Sequence, residues 1–190
     1  MVQSAYSGLV DALHEYLSPA LSSEAALLEA LESAPDDLWT AYVGALLAAL
    51  PAFDLVVALP RAEVLAATLA GRRGVRAVQA GFGPMREPHT RGERWSLPLA
   101  PLVSARAVLV VTPYLNVGLN ELEVAALARQ GGAEAVGLAC GLERTEGGGR
   151  NRLEQQGVTV AACAMVAATP RGLIFERRVP QLDADGSELS

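Results

Sequence analysis

The residues with the clearest capacity for chemistry lie between Thr112 and Asn120, in the run TPYLNVGLN. A short polar loop that opens a helix presents unpaired backbone N–H groups. The helix dipole adds partial positive charge, so an anion is favoured there. The expected phosphate-binding positions are Tyr114, Leu115, Asn116, Val117, Gly118 and Asn120. Gly118 allows close backbone approach. Asn116 and Asn120 add side-chain amides, and Asn120 can cap the helix with Glu123 at the capping-box position. The loop carries no acid to hold a metal or a ribose, and no Lys. An ordinary strand–turn–helix connection is the plain alternative.

Two further segments carry charge. Arg61, Ala62 and Glu63 follow an apolar run and would meet an anion with one guanidinium and one carboxylate. The Gly-, Pro- and Arg-rich segment 81–96 holds Arg86, His89, Arg91 and Arg94. This segment shows no apolar periodicity. A solvated loop is the plain reading of those arginines. His14 reads as structural. Cys140 and Cys163 fall in apolar stretches and read as reduced core thiols. With no CxxC and no His cluster, no metal site is expected.

The elements that position these residues form two groups. Residues 2–17 suit an amphipathic helix, Ser22 or Ser23 can cap a second through Ser33, and a third runs from Leu38 to Leu50. Strands are then expected at Phe53 to Leu59, Val75 to Ala80, Val108 to Val111, Ala135 to Leu142 and Val158 to Val166, with a sixth at Leu173 to Val179. Helices are expected at Glu63 to Ala70, Asn120 to Gln130 and Arg150 to Gln156. This alternation implies an α/β fold, a mainly parallel sheet flanked by helices on both faces. Residues 1–50 then form an N-terminal helical segment, 51–180 the α/β core and 181–190 a flexible acidic tail. Ligands in such sheets bind at the carboxyl ends of the strands.

The chain has 190 residues, enough for a sizeable single core. Its 15 basic residues are all Arg, which excludes Lys chemistry. A net charge of −6 argues against a nucleic-acid partner. No apolar run is long enough to span a bilayer, and no signal peptide is read at the start, so no membrane partner and a cytoplasmic location are expected.

The run VLVVTPYLNVGLNELEVAAL resembles the phosphoribosyl pyrophosphate loop of type I phosphoribosyltransferases. In that motif four apolar residues precede two acids, an apolar pair and a Thr-Thr-Gly-Gly-Ser/Thr stretch that opens a helix. FDLVVALPRAEVLAATLAG is similar to the strand, pyrophosphate loop and helix of the same fold, and MREPHTRGE to its mobile catalytic loop. AEAVGLACGLERTEGGGRNRLEQQGVTVAACAMV is similar to the C-terminal half of orotate phosphoribosyltransferases, with Glu143-Arg144 at the Asp-Arg pair and Gly147 to Gly149 at the Gly-Gly. The likeness covers residues 40–166.

That resemblance implies a dimeric transferase of pyrimidine nucleotide synthesis, with Mg²⁺ if active and no other cofactor. It implies a phosphate or nucleotide ligand, and catalytic positions at Arg86, His89 and Arg91. The same resemblance marks losses. Thr112 and Pro113 stand where the two acids belong, and Arg61-Ala62-Glu63 stands where glycines are usual. Three functions stay open: a transferase-fold protein with impaired or lost activity that binds a phosphate ligand or acts as a regulatory or dimeric partner; an active, divergent orotate-type transferase; or an interaction protein whose site is closed. The last places Tyr114 and Val117 in the site and Trp39 or Tyr42 on an exposed contact surface.

Overall fold

In the computed structural model the structure describes residues 12, 14–84 and 93–176. Residues 14–17 are helical. Helix α1 (Glu24–Glu32) is capped by Ser23, whose hydroxyl accepts the Ala26 N–H at 3.2 Å. Helix α2 (Asp36–Ala49) carries Asp36 and Asp37 in its first turn, the favourable end for negative charge. The rest alternates as β1 (Leu55–Ala58), α3 (Glu63–Arg73), β2 (Arg76–Gln79), β3 (Gly81–Pro84), β4 (Glu93–Ser96), α4 (Leu99–Ser104), β5 (Ala107–Leu115), α5 (Leu119–Gln130), β6 (Ala135–Arg144), α6 (Gly149–Glu154), β7 (Thr159–Thr169) and β8 (Gly172–Phe175).

Six strands form one sheet in the order β2-β1-β5-β6-β7-β8. Neighbours are parallel except for β7 and β8. The sheet is therefore mainly parallel and flanked by helices, as expected. One face packs on α1, α2 and α3 through Leu27, Leu31, Tyr42, Leu65 and Leu69 against Val56, Leu109 and Leu142. The other packs on α4, α5 and α6 through Leu102, Val124 and Leu153 against Val57, Val110 and Leu138. Both faces are covered, which is why β1 reads as an unbroken buried run, LVVA.

Several local expectations change. Strand β5 continues four residues past Val111 to Leu115, paired with β6 as far as Leu115 opposite Glu143. Thr112 and Tyr114 are good strand formers. Pro113 falls after β1 has ended, where β5 keeps one neighbour, an edge condition that tolerates proline. Segment 81–96 contains the paired strands β3 and β4 rather than a structureless loop. Helix α4 was not expected, because its Pro101 and brevity hide it. Helix α3 runs on to Arg73 and stops at Gly74. The sixth strand is β8, antiparallel to β7; residues 177–179 of its expected span lie outside the described residues, as does the tail at 181–190. Trp39 and Tyr42 are 5% and 2% exposed, core residues and not a contact surface. Cys140 and Cys163 are buried free thiols, and burial pushes both thiols up in pKa.

Candidate functional site

Loops after β1, β5 and β6 gather at the carboxyl edge of the sheet. Strand β1 lies between β2 and β5, so the chain leaves it in one direction and returns on the other side. Such a switch point is where open sheets bind ligands. The loop after β5 is three residues long, Asn116, Val117 and Gly118, because the strand takes Thr112 to Leu115. Leu115 is fully buried, and Tyr114 is half-buried.

Helix α5 starts at Leu119, one residue before the expected start, and its cap is Gly118 at φ 77°. That left-handed backbone suits glycine. Asn120 is therefore the second helical residue and does not cap. Its amide oxygen instead accepts the Trp95 indole N–H at 3.3 Å, which ties strand β4 to the start of α5. The third helical residue becomes Glu121 in place of the expected Glu123.

Glu121 is 7% exposed. Its carboxylate accepts the Thr112 hydroxyl at 3.0 Å and also its own backbone N–H. Burial raises its pKa, and those two hydrogen bonds work against the rise. One N–H at the helix end is thus satisfied by an internal acid. A phosphate placed there would stand beside a carboxylate already in place.

The rest of the loop is held from outside. The Asn116 carbonyl accepts the Gly149 N–H at 2.9 Å, and the Val117 carbonyl accepts from Arg152. Gly147 and Gly149 lie so close to Asn116 that a Cβ on either would run into its carbonyl oxygen. The glycine run is spent on this contact. Beside it, Glu143 is buried and takes a forked contact from Arg150, with Nε at 2.9 and 3.0 Å from its two oxygens. Arg150 also donates to the Val160 carbonyl at 2.7 Å.

The loop after β1 lies against the end of β5. Arg61, Ala62 and Pro113 line one gap together with Leu31, Glu32 and Trp39. That gap is about 20 Å³, room for a single water. Backbone strain falls on Arg61, at φ 72°, rather than on Ala62 or Glu63. Ala62 is buried at the start of α3, and Glu63 accepts the Gln79 amide at 2.6 Å. The Arg61 guanidinium is paired with Glu32. The larger cavity, about 220 Å³, opens at the amino ends of the strands around Phe53, Leu109 and Gly137, the opposite edge.

At the end of β6, Arg144 NH1 meets Glu24 at 3.0 Å. Tyr114 lies beside this guanidinium, and burial, with Glu24 nearby, pushes its phenol up to about 12. Arg86, His89 and Arg91 lie outside the described residues. Among the described residues no group of three or more His, Cys, Asp or Glu side chains could hold a metal ion. The Thr112 hydroxyl is engaged by Glu121, Pro113 offers no polar group, and the gap between Arg61 and Pro113 is about 20 Å³.

Sequence reasoning missed Glu121 because it took Asn120 for the cap. The signal lay in Gly118, which serves a helix boundary as well as a phosphate approach. It also missed the pairs Arg144–Glu24 and Arg150–Glu143, whose partners no local pattern links.

No protein-family model and no curated protein matches the chain. Solved structures do. Adenine phosphoribosyltransferase from Rhodothermus marinus is 20% identical with a TM-score of 0.60, covering 72% of this chain and 83% of its own. A phosphoribosyltransferase from Corynebacterium diphtheriae is 18% identical with a TM-score of 0.55, covering 87% and 96%. Orotate phosphoribosyltransferase from Aeropyrum pernix is 19% identical with a TM-score of 0.54, covering 72% and 76%. The chain therefore has the type I phosphoribosyltransferase fold. The likeness does not single out the orotate enzymes, since adenine enzymes resemble it to a similar degree. Among the described residues no helix is long and apolar enough to cross a membrane.

Proposed function

We propose that this chain uses the type I phosphoribosyltransferase fold without its reaction, as a cytoplasmic regulatory or interaction protein whose donor cradle is occupied by its own side chains. The observation that carries this reading is the buried Glu121 carboxylate, held at the start of α5 by the Thr112 hydroxyl at 3.0 Å. A phosphate at the start of α5 would stand beside this internal carboxylate. The fold tolerates such a change, since it rests on apolar strands and not on loop acids. Exposed apolar side chains support a partner role. Leu99 and Val103, one turn apart on α4, are 71% and 78% exposed, and Phe82 on β3 is 52% exposed. A second copy of the chain is the first partner to test, by sedimentation.

An active, divergent transferase is the second reading. Its support is that Glu121 returns a carboxylate to the neighbourhood of Thr112. That carboxylate, however, is 7% exposed and already bonded on both sides. Pyrophosphate release from phosphoribosyl pyrophosphate, with Mg²⁺ and with adenine or orotate as acceptor, decides between the two. The proposed reading expects no release above background, and turnover with either base overturns it.

A further inference from the structure

The cavity of about 220 Å³ lies at the amino edge of the sheet, opposite the loops after β1, β5 and β6. Leu109, Gly137 and Thr159 stand side by side across β5, β6 and β7 and line it. Pro51 and Phe53 line it from the segment between α2 and β1.

Gly137 is the residue that nothing else in the fold explains. It pairs on both sides inside a central strand, where glycine weakens the ladder. It is not among the glycines with positive φ. A Cβ there would meet Leu109 Cδ1 at 3.5 Å and Pro51 Cγ at 3.6 Å, ordinary contacts. Gly141 in the same strand differs, since its Cβ would run into the Pro113 carbonyl oxygen at 2.9 Å. Neither backbone nor packing therefore requires glycine at 137. What it does is keep open the space between Leu109 and Pro51. A glycine inside a strand often marks the close approach of a ligand.

The backbone around the cavity is already satisfied. Ala107 N–H donates to the Asp54 carboxylate at 3.1 Å, and the Ala107 carbonyl accepts the Asp54 N–H at 2.9 Å. Ala135 N–H donates to the Arg106 carbonyl at 3.1 Å, and the Gly157 carbonyl accepts from Arg129 at 3.2 Å. Water placed there would find few of the partners it needs, so an apolar body is favoured. An apolar cavity of about 150 Å³ holds one benzene ring, and this one is larger. Among the described residues, Glu134 is the one charged side chain in its lining. The nearby cations are turned elsewhere. Arg73 donates to the Leu47 carbonyl at 3.2 Å, and Arg106 is 81% exposed and reaches Glu134 only at 3.8 Å.

We propose that this amino-edge cavity binds a small amine with a single apolar ring. The ring lies over Gly137 between Leu109 and Pro51, and the ammonium faces Glu134 at the rim. The site is separate from the carboxyl edge and owes nothing to phosphate.

Amide chemical-shift titration of the full chain with benzylamine tests it. Saturable shifts are expected at Phe53, Gly137 and Thr159. Benzoate is expected to bind about threefold more weakly, a modest ratio because Glu134 is an exposed charge. Gly137→Val, which puts a side chain between Leu109 and Pro51, is expected to abolish binding. Glu134→Gln is expected to remove the preference for benzylamine over benzoate. Shifts scattered over the surface, benzoate bound as tightly, a folded Gly137→Val that still binds, or a preference unchanged in Glu134→Gln would each overturn the proposal. Should Gly137→Val fail to fold, Gly137→Ala, whose Cβ has room, is expected to weaken binding, and unchanged binding there overturns it equally. Neither probe is a phosphoribosyl compound, so this site and the reading of the carboxyl edge fail separately.

Discussion

Thr112 donates its hydroxyl hydrogen to the buried carboxylate of Glu121 at 3.0 Å, joining the last turn of a strand's polar end to the first turn of the next helix. The resemblance to phosphoribosyltransferases implies an acid at this position; here Thr112 instead donates to an acid nine residues on. Removing the donor while keeping the branched shape, as in Thr112→Val, leaves that carboxylate short of a partner. The expected cost is about 1–3 kcal/mol, read by urea denaturation at pH 7.

Glu121 also sets a pH dependence. Its folded pKa is raised, chiefly by burial, above an unfolded value of about 4.3. The folded state then binds the proton more tightly, so this stabilising contribution is fully present below about pH 4.3 and is lost as pH rises through the folded value. Glu121→Gln is expected to abolish that slope and to leave the protein at least as stable at neutral pH. A stability profile of the wild type and Glu121→Gln from pH 4 to 8 checks this. The same slope in both proteins would refute it.

Gly149 touches the loop after β5 so closely that a Cβ would meet Leu115 Cδ1 at 3.0 Å as well as the Asn116 carbonyl. Gly149→Ala is expected to destabilise by about 1–3 kcal/mol through overpacking, seen as a lower Tm. Gly148, whose added Cβ meets nothing within 4 Å, is a poor control because its φ is 70°. Gly83, with open space and an ordinary backbone, is the better one.

The Arg61 backbone offers a differential test. At φ 72° glycine is at ease and alanine is not. Both Arg61→Gly and Arg61→Ala lose the pair with Glu32, so their difference isolates the backbone. Arg61→Gly is expected to be the more stable by about 1 kcal/mol, measured by chemical denaturation. Equal stability would mean the strain is absent.

Glu143 and Arg150 make the most buried ion pair of the edge, with Glu143 3% exposed. Glu143→Leu removes the forked partner of Arg150 but leaves it Glu154 at 3.2 Å and the Val160 carbonyl, so the expected cost is about 1–3 kcal/mol. Glu143→Leu with Arg150→Met is expected to recover much of that loss. A double-mutant cycle in urea reads the coupling.

The sheet was largely legible because β1, β6 and β7 are apolar runs that a two-faced parallel sheet requires. The last four residues of β5 were not, because Thr112, Pro113 and Tyr114 break the apolar run even though pairing with β6 carries the strand through them. That extension shortened the loop, moved the cap to Gly118 and brought Glu121 inward, so one misplaced boundary hid the group that fills the site. Arg61 and Pro113 do lie side by side, but Pro113 belongs to β5 and not to the expected loop. The Arg144–Glu24 pair was invisible, since its members are 120 residues apart in sequence and meet only once α1 lies on the sheet edge.

The central claim is that the donor cradle is self-occupied, and calorimetry with phosphoribosyl pyrophosphate in the presence and absence of Mg²⁺ tests it most directly. The account predicts no binding below millimolar concentration and no effect of the metal. Tight binding that depends on Mg²⁺ would contradict it.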